Sequence, residues 1–236
     1  MEYKNKAGRD SAFLNIIIWG TIWGIFEITI GYFLHSISFA YTWIIWYPFA
    51  CFIMTNVYRK NRRVSSIFFV GILCSSIKML NLLLPGRIDK VINPAVSILF
   101  EALVMGLVIF AVNHVWGKRD KNPLIKAMIA LFMNTGWRIL YALYLLFLVP
   151  DWIRDISVIS SMEKFIPFFV TQNLITTALI FIGYQFKDYI MKPVVLMEKR
   201  ISSWCNMLSN HTLKLIKPFM AAFMLCANIA LQFILK

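Results

Sequence analysis

Charged residues are scarce in this sequence. Asp, Glu, Lys and Arg make up 15% of the 236 residues, whereas apolar residues make up 60%, and the mean hydropathy is +0.70. A soluble domain of this length needs more polar surface than this composition provides, which excludes that class of protein. The apolar runs follow one another with short polar breaks, and this pattern predicts one all-α, multi-pass membrane domain.

Residues that build disulfides, metal centres and catalytic centres are also few. The 4 cysteines lack CxxC spacing, and the 3 histidines lack HxxxH spacing. The sequence contains no GxSxG, HExxH or P-loop motif. We therefore expect neither a metal nor a cofactor, and no enzymatic activity. A membrane enzyme that uses Glu27 or Glu101 as its general base stays open as a further interpretation.

Acidic residues are the scarcest charged class, with 11 Asp and Glu against 24 Lys and Arg. With the N-terminus placed inside, 17 of the basic residues fall in cytoplasmic segments and 5 in outer segments. Because short cytoplasmic loops are enriched in Lys and Arg, this bias predicts a cytoplasmic N-terminus in a bacterial cell membrane. Contact with anionic lipid also accounts for the net charge of +13, so we expect no nucleic-acid partner.

Six apolar stretches are long enough to cross a bilayer, and they place a six-helix membrane domain at residues 1–186. Residues 187–236 form a predicted cytoplasmic amphipathic segment, or alternatively a plain linker helix, that ends in a candidate seventh helix at Pro218 to Leu235. The second stretch lacks a polar stripe, so we expect it to face lipid. The six stretches lie near 13–35, 39–58, 64–84, 91–113, 124–149 and 164–186.

Two acids and two bases remain inside the predicted spans. An ionisable group at the bilayer centre costs about 3 kcal/mol on insertion scales, so such groups usually face a bundle interior and mark a site. All four lie in the outer halves of their spans, which predicts a mutually neutralising cluster that binds a substrate. The alternative is that they form ion pairs that only hold the helices together. The predicted site comprises Glu27, Lys78, Glu101 and Arg138, together with Asn134 and His35.

The first span carries a stripe of small residues on the same face as its acid. Gly20, Gly24, Glu27, Gly31 and His35 recur at spacings of three and four, which places them on one side of a helix. Gly20 and Gly24 allow close backbone approach, and they predict a docking surface for a partner helix. The alternative is that these glycines pack helices of the chain itself.

Three stretches resemble a known family. They are WGTIWGIFEITIGYFLH in the first span, Lys78 with the LLLPGRID that follows it, and NPAVSILFEALVMGLV in the fourth span. Over residues of about 13–186 the chain resembles the substrate-binding S components of energy-coupling factor (ECF) transporters. The resemblance implies a bundle of about six helices that captures a vitamin-like compound or a metal ion near the outer face.

The resemblance also implies partners. In this family a transmembrane scaffold subunit and two ATPases drive uptake, and small residues on the first helix contact the scaffold. Gly20 and Gly24 would take that part here. A secondary transporter or channel in which the four charges move protons or a small ion is the alternative, and a structural subunit is a third interpretation.

The charge bias makes a prediction about loop accessibility. A Cys introduced at Ser157 should react with a membrane-impermeant thiol reagent added outside intact cells, whereas a Cys at Asn61 should not, because the Arg59–Arg63 loop is cytoplasmic. The Lys118–Lys121 loop should be shielded in the same way. Labelling at position 61 with sparing of position 157 would reverse the predicted orientation.

Overall fold

The computed structural model describes the backbone of residues 2–36, 43–115, 122–207 and 210–234. Side chains are described from Ala12 onward in these ranges, except at 32, 35, 36 and 115 and at most positions from 201 to 217. In the described ranges the chain is helical apart from its connecting turns, and no strand occurs there. The predicted all-α class is confirmed.

The described ranges contain ten α-helices, one 3₁₀ turn and one π-helical turn. The helices are α1 (Glu2–Ser36), α2 (Trp43–Asn61), α3 (Ser65–Met79), α4 (Asp89–Val115), α5 (Pro123–Phe147), α6 (Asp151–Arg154), α7 (Met162–Ile166), α8 (Gln172–Gln185), α9 (Lys187–Met207) and α10 (Asn210–Ile234). The 3₁₀ turn Leu80–Leu83 extends α3, and the π turn Pro167–Thr171 joins α7 to α8.

Five described stretches are long and apolar enough to cross a membrane, which confirms a multi-pass helix bundle. The predicted second span, α2, does not belong to this group, because Trp, Tyr and Pro at its start and Arg59 and Lys60 at its end lower its hydropathy. The apolar part of α10, Pro218–Ile234, is shorter. The five stretches are Ala12–Gly31, Ser65–Leu83, Asp89–His114, Pro123–Phe147 and Met162–Gln185.

Helix α2 lies at the centre of the bundle. The helices α1, α3, α4, α5 and α8 pack in that order, each against the next, and α2 contacts α1, α3, α4 and α8 from within. The expectation that the second span faces lipid is therefore wrong. Its interior face is apolar because apolar side chains pack as well against protein as against lipid, so the lack of a polar stripe does not indicate exposure. The buried residues are Tyr47, Ala50, Cys51, Ile53, Met54, Asn56 and Val57.

Glycines set the closest helix contacts around α4. A Cβ added to Gly71 of α3 would overlap Ala102 Cβ of α4. A Cβ added to Gly136 of α5 would lie 2.7 Å from Val104 Cγ1, also of α4. Small residues at these two crossings let the helix backbones approach closely, which is the main source of packing energy between helices in lipid.

The segment after α8 returns to the bundle. Glu198 of α9 forms ion pairs with Arg59 at 3.2 Å and with Lys60 at 3.5 Å, at the end of α2. Helix α10 packs against α1, where Asn228 Nδ2 donates to Thr21 O at 2.9 Å. Gln232 Nε2 donates to Ile77 O of α3 at 2.8 Å. These contacts place α10 alongside α1 at the level of the predicted spans.

Asn61 is a structural residue, which changes the choice of labelling position. Its Nδ2 donates to Ala12 O at 3.1 Å and to Ser66 Oγ at 3.0 Å, and its Oδ1 accepts from Asn15 at 2.9 Å. A Cys there would leave buried polar groups unpaired. Two exposed residues offer the same test of orientation without this loss: Arg63 in place of Asn61, and Asp155 in place of Ser157.

The crossing at Gly71 generates a prediction about stability. Gly71→Ala should destabilise the folded protein by about 1–3 kcal/mol, because the added methyl group forces α3 and α4 apart. Gly183→Ala is the matched control, since a Cβ there meets nothing within 4 Å and alanine favours the helix by about 1 kcal/mol. Thermal unfolding in detergent measures the stability of both variants. Equal melting temperatures for the two variants would contradict the close crossing.

Candidate functional site

Glu27 and Lys78 join α1 to α3. Lys78 lies in the last turn of α3, and its Nζ approaches Glu27 Oε2 at 4.0 Å. The Lys78 side chain is 16% exposed and that of Glu27 is 10% exposed, so the pair is largely removed from solvent. Each charge stabilises the other where water is scarce, and an isolated charge there would be disfavoured.

Arg138 is the most deeply buried charge in the described part of the chain, at 0% exposure. Its Nη1 donates to Phe168 O at 2.6 Å, and its Nε donates to Asn134 Oδ1 at 3.3 Å. The guanidinium also lies 4.8 Å from the ring centroid of Trp137 and 4.6 Å from that of Phe168. Two uncharged acceptors and two aromatic rings therefore hold this cation in place.

The π turn Pro167–Thr171 supplies the carbonyl that Arg138 uses. Gln172 N–H donates to Pro167 O, five residues earlier, instead of to the carbonyl four residues earlier. Widening of the helix in this way leaves a carbonyl without its usual partner, and Phe168 O accepts from Arg138 instead. Helical periodicity does not predict this contact, although Pro167 inside the sixth predicted span is a signal for a break in the helix.

Polar side chains fasten α5 to α8 next to Arg138. Asn134 Nδ2 donates to Asn173 O at 2.7 Å and to Thr177 Oγ1 at 3.1 Å. Asn173 Nδ2 donates back to Thr135 Oγ1 at 2.9 Å. Helical periodicity predicted Asn134 as a site residue but not its partners, because periodicity shows which residues share a face and not what that face contacts.

Glu101 links the two halves of the charged interior. It lies on α4 at 2% exposure, and its carboxylate interacts electrostatically with both Glu27 and Arg138. Among the ion pairs of the described residues, none within 4.0 Å includes Glu101. The structure thus brings all four predicted charges into one interior, with Glu27 and Lys78 in an ion pair and Glu101 and Arg138 further apart.

Four buried polar atoms near this interior lack a hydrogen-bond partner among the described residues. The ring of Tyr47 lies 5.5 Å from that of Trp137, against which Arg138 packs. Gln172 and Thr176 lie one turn apart on α8, which packs against α2 and α5. Unpaired buried polar atoms are rare in proteins, so their concentration marks a site. The atoms are Tyr47 Oη, Arg138 Nη2, Gln172 Oε1 and Thr176 Oγ1.

Tyr47 belongs to an aromatic cluster at the start of α2. Tyr and Trp cluster at the start of α2, and such clusters usually anchor a helix at the membrane surface. In the structure Tyr47 is fully buried, and the ring centroids of Trp43 and Trp137 lie 5.2 Å apart. The start of α2 therefore turns inward, and its aromatic residues form a wall beside Arg138.

The predicted docking surface at Gly20 and Gly24 has partners within the chain. A Cβ on Gly20 would lie 2.7 Å from Leu73 of α3, and a Cβ on Gly24 would overlap the amide of Asn228 of α10. Both glycines are buried. The close approach they permit is thus used by α3 at Gly20 and by α10 at Gly24, and a separate subunit could reach Gly24 only if α10 moved away.

Other predicted features lie elsewhere or are not described. The His35 side chain is outside the described residues, as are those of Ile201, Trp204, Leu208 and Leu215 in the amphipathic segment. Within the described ranges no group of three or more His, Cys, Asp and Glu side chains could hold a metal ion. An apolar surface groove between α3 and α4, lined by Phe68, Gly106 and Phe110 among others, is separate from the charged interior.

No protein-family model matches this sequence, and no curated protein or solved structure matches it either. The fold and the charged interior themselves define the class. The protein is a multi-pass α-helical membrane protein whose bundle encloses ionisable groups and polar atoms that have no hydrogen-bond partner among the described residues.

The Glu27–Lys78 pair generates a prediction that a double-mutant cycle can test. Glu27→Gln strands the Lys78 charge and should destabilise the fold by about 3 kcal/mol. Lys78→Gln should act similarly, and the double variant should recover much of the loss because no charge is stranded. Thermal unfolding of the wild type, the two single variants and the double variant gives the coupling free energy between the two side chains. Strictly additive losses would mean that the two side chains do not interact.

Proposed function

We propose that this chain is a membrane-embedded substrate-binding subunit for the uptake of a small molecule. The observation that carries the proposal is the set of buried polar atoms of Tyr47, Arg138, Gln172 and Thr176, which have no partner among the described residues. In a membrane protein such atoms are costly unless a bound molecule or water satisfies them. A substrate that bonds to them would be held by interactions that lipid does not offer.

The stretches that carry the ECF S-component resemblance support this proposal by where they meet. Glu27 of the first stretch pairs with Lys78 of the second, and Glu101 of the third interacts with Glu27. Three segments far apart in sequence thus contribute charges to one interior. We infer that the chain works in the manner of an S component, with capture near the outer face as its role.

The kind of substrate follows from the side chains present. The four atoms without a partner are a guanidinium nitrogen, two hydroxyl oxygens and an amide oxygen, which suit hydrogen bonds to an organic, vitamin-like molecule better than coordination of a cation. The interior combines a cation, carboxylates, an amide and hydroxyls beside aromatic rings, which is the usual composition of a small-molecule site.

Uptake against a gradient needs an energy source that this sequence does not carry, since it contains no P-loop. A transmembrane scaffold subunit and ATPases would supply it. Because α3 and α10 already cover Gly20 and Gly24, we propose that the scaffold contacts another surface or displaces α10.

A proton-coupled secondary transporter is the second candidate. It is favoured by one observation, the position of Glu101 at 2% exposure without an ion pair within 4.0 Å among the described residues. Such a carboxyl group is suited to bind and release a proton. Proton flux catalysed by the purified chain alone in liposomes would support this candidate over the first.

The proposed function predicts a bound molecule that depends on Thr176. Full-length protein purified in mild detergent should release one small molecule in near-stoichiometric amount on denaturation, detected by mass spectrometry. Thr176→Val should lower its amount about tenfold. Once the bound molecule is removed from both proteins, the variant should melt at the wild-type temperature, because the hydroxyl group has no partner in the described part of the chain.

Thr21→Val is the matched control. Thr21 is also fully buried, but its hydroxyl donates to Ile17 O within α1 at 2.7 Å. This variant should keep the bound molecule. The proposal fails if the wild-type protein carries no small molecule, or if both variants retain it equally.

A further inference from the structure

Arg138 has hydrogen-bonding capacity that the protein does not use. Its Nε and Nη1 donate to the uncharged oxygens of Asn134 and Phe168. Its Nη2 is buried and has no partner among the residues that the structure describes. Because the guanidinium packs against the rings of Trp137 and Phe168, Nη2 is fixed in position as a charged donor.

Tyr47 places a second unused donor in the same region. Its hydroxyl is buried beside the Cys51 thiol, one turn further along α2, and makes no hydrogen bond within the described ranges. Its ring lies 5.5 Å from that of Trp137, and the Arg138 guanidinium lies 4.8 Å from the same ring. One charged donor on α5 and one neutral donor on α2 therefore belong to side chains that both pack against Trp137.

Glu101 does not take up these donors. It attracts Arg138 across the interior, yet no described ion pair within 4.0 Å joins them. Protonation of Glu101 leaves the charges of Glu27, Lys78 and Arg138, which sum to +1, so the interior can take one negative charge. The remaining donor of Arg138 has no anionic acceptor in contact among the described residues. A carboxylate in direct contact would form a charge-assisted hydrogen bond, about twice as strong as a neutral one.

We propose that Arg138 Nη2 and Tyr47 Oη bind the carboxylate of a small organic acid. This inference rests on the proposed function and adds the chemical class of its substrate. Gln172 Oε1 and Thr176 Oγ1, which also lack partners in the described part of the chain, bind polar groups elsewhere on the same molecule. The aromatic wall of Trp43, Trp137 and Phe168 covers its apolar part.

The electrostatics of the interior favour a single carboxylate over other anions. A phosphate carries up to two negative charges, and one guanidinium beside Glu101 would leave part of that charge buried without compensation. A neutral amide would accept from the same donors but would gain no charge-assisted bond. A compound with an ionised carboxylate should therefore bind more tightly than the corresponding amide.

The test compares acids with their amides on the full-length protein in detergent, after dialysis has removed the molecule that co-purifies with it. The probes are benzoate with benzamide, nicotinate with nicotinamide, propionate with propionamide, and inorganic phosphate. Binding is measured as the rise in Tm, since a ligand that binds the folded state raises it. We expect at least one acid to raise Tm and phosphate to leave it unchanged. The matching amide should need at least a tenfold higher concentration than the acid for the same rise.

Tyr47→Phe tests the assigned contact. It removes one oxygen and keeps the ring, so the protein without ligand should melt at the same or a higher temperature, while the acid should bind about tenfold more weakly. Tyr58→Phe is the matched control, because the Tyr58 hydroxyl accepts from Asn113 at 2.8 Å near the other end of α2. It should leave binding of the acid unchanged. Arg138→Lys, which keeps the charge but not the planar donors, should weaken acid binding further.

Several outcomes would overturn the proposal. They are equal effects of an acid and its amide, no effect of any acid, and acid binding that survives Tyr47→Phe unchanged. A loss of melting temperature in Tyr47→Phe without ligand would show that the hydroxyl has a protein partner, and it would count against the proposal too. If the native protein releases a molecule without a carboxylate, the substrate class is wrong but the uptake function stands; if it releases none, the uptake function itself fails.

Discussion

The burial of the Arg138 guanidinium is the constraint on which the arrangement of α5 and α8 depends. A charge removed from water must be satisfied by the protein, and here Asn134 and Phe168 O provide the acceptors. Phe168 O is available because the π turn Pro167–Thr171 widens the helix at that point. The same turn sets the direction in which α8 continues, and so it positions Asn173, Gln172 and Thr176 beside the charged interior. An irregular backbone is tolerated there because the protein itself covers it.

Close helix contacts complement the polar ones. Gly71 and Gly136 let α3 and α5 approach α4, while Gly20 and Gly24 let α3 and α10 approach α1. Without a hydrophobic drive between helices in lipid, such contacts provide much of the packing energy. The bundle is therefore tight around α2 and α4, and its polar atoms are concentrated in one place. This combination, a well-packed scaffold with a few unpaired groups, is what a binding site requires.

The position of α10 bears on the family resemblance. In the ECF S components, small residues on the first helix contact a separate scaffold subunit, and the sequence predicts that Gly20 and Gly24 do the same. In the structure Asn228 of α10 and Leu73 of α3 occupy that face. The segment after residue 186 thus contributes a helix to the bundle. The charges of Glu27, Lys78 and Glu101 nevertheless converge, so the part of the resemblance that concerns the interior does not depend on the glycine face.

The sequence alone determined the helical class, most of the spans and the identities of the four interior charges, because hydropathy and the cost of burying charge act on each segment separately. It also found Asn134, which shares a face with Arg138. Tertiary structure decided what each face contacts: the central position of α2, the burial of Tyr47, the π-turn carbonyl at Phe168 and the partners of Gly20 and Gly24. Helical periodicity defines a face but not its neighbour, and an apolar face packs equally well against lipid or protein. Only the assembled bundle distinguishes the two.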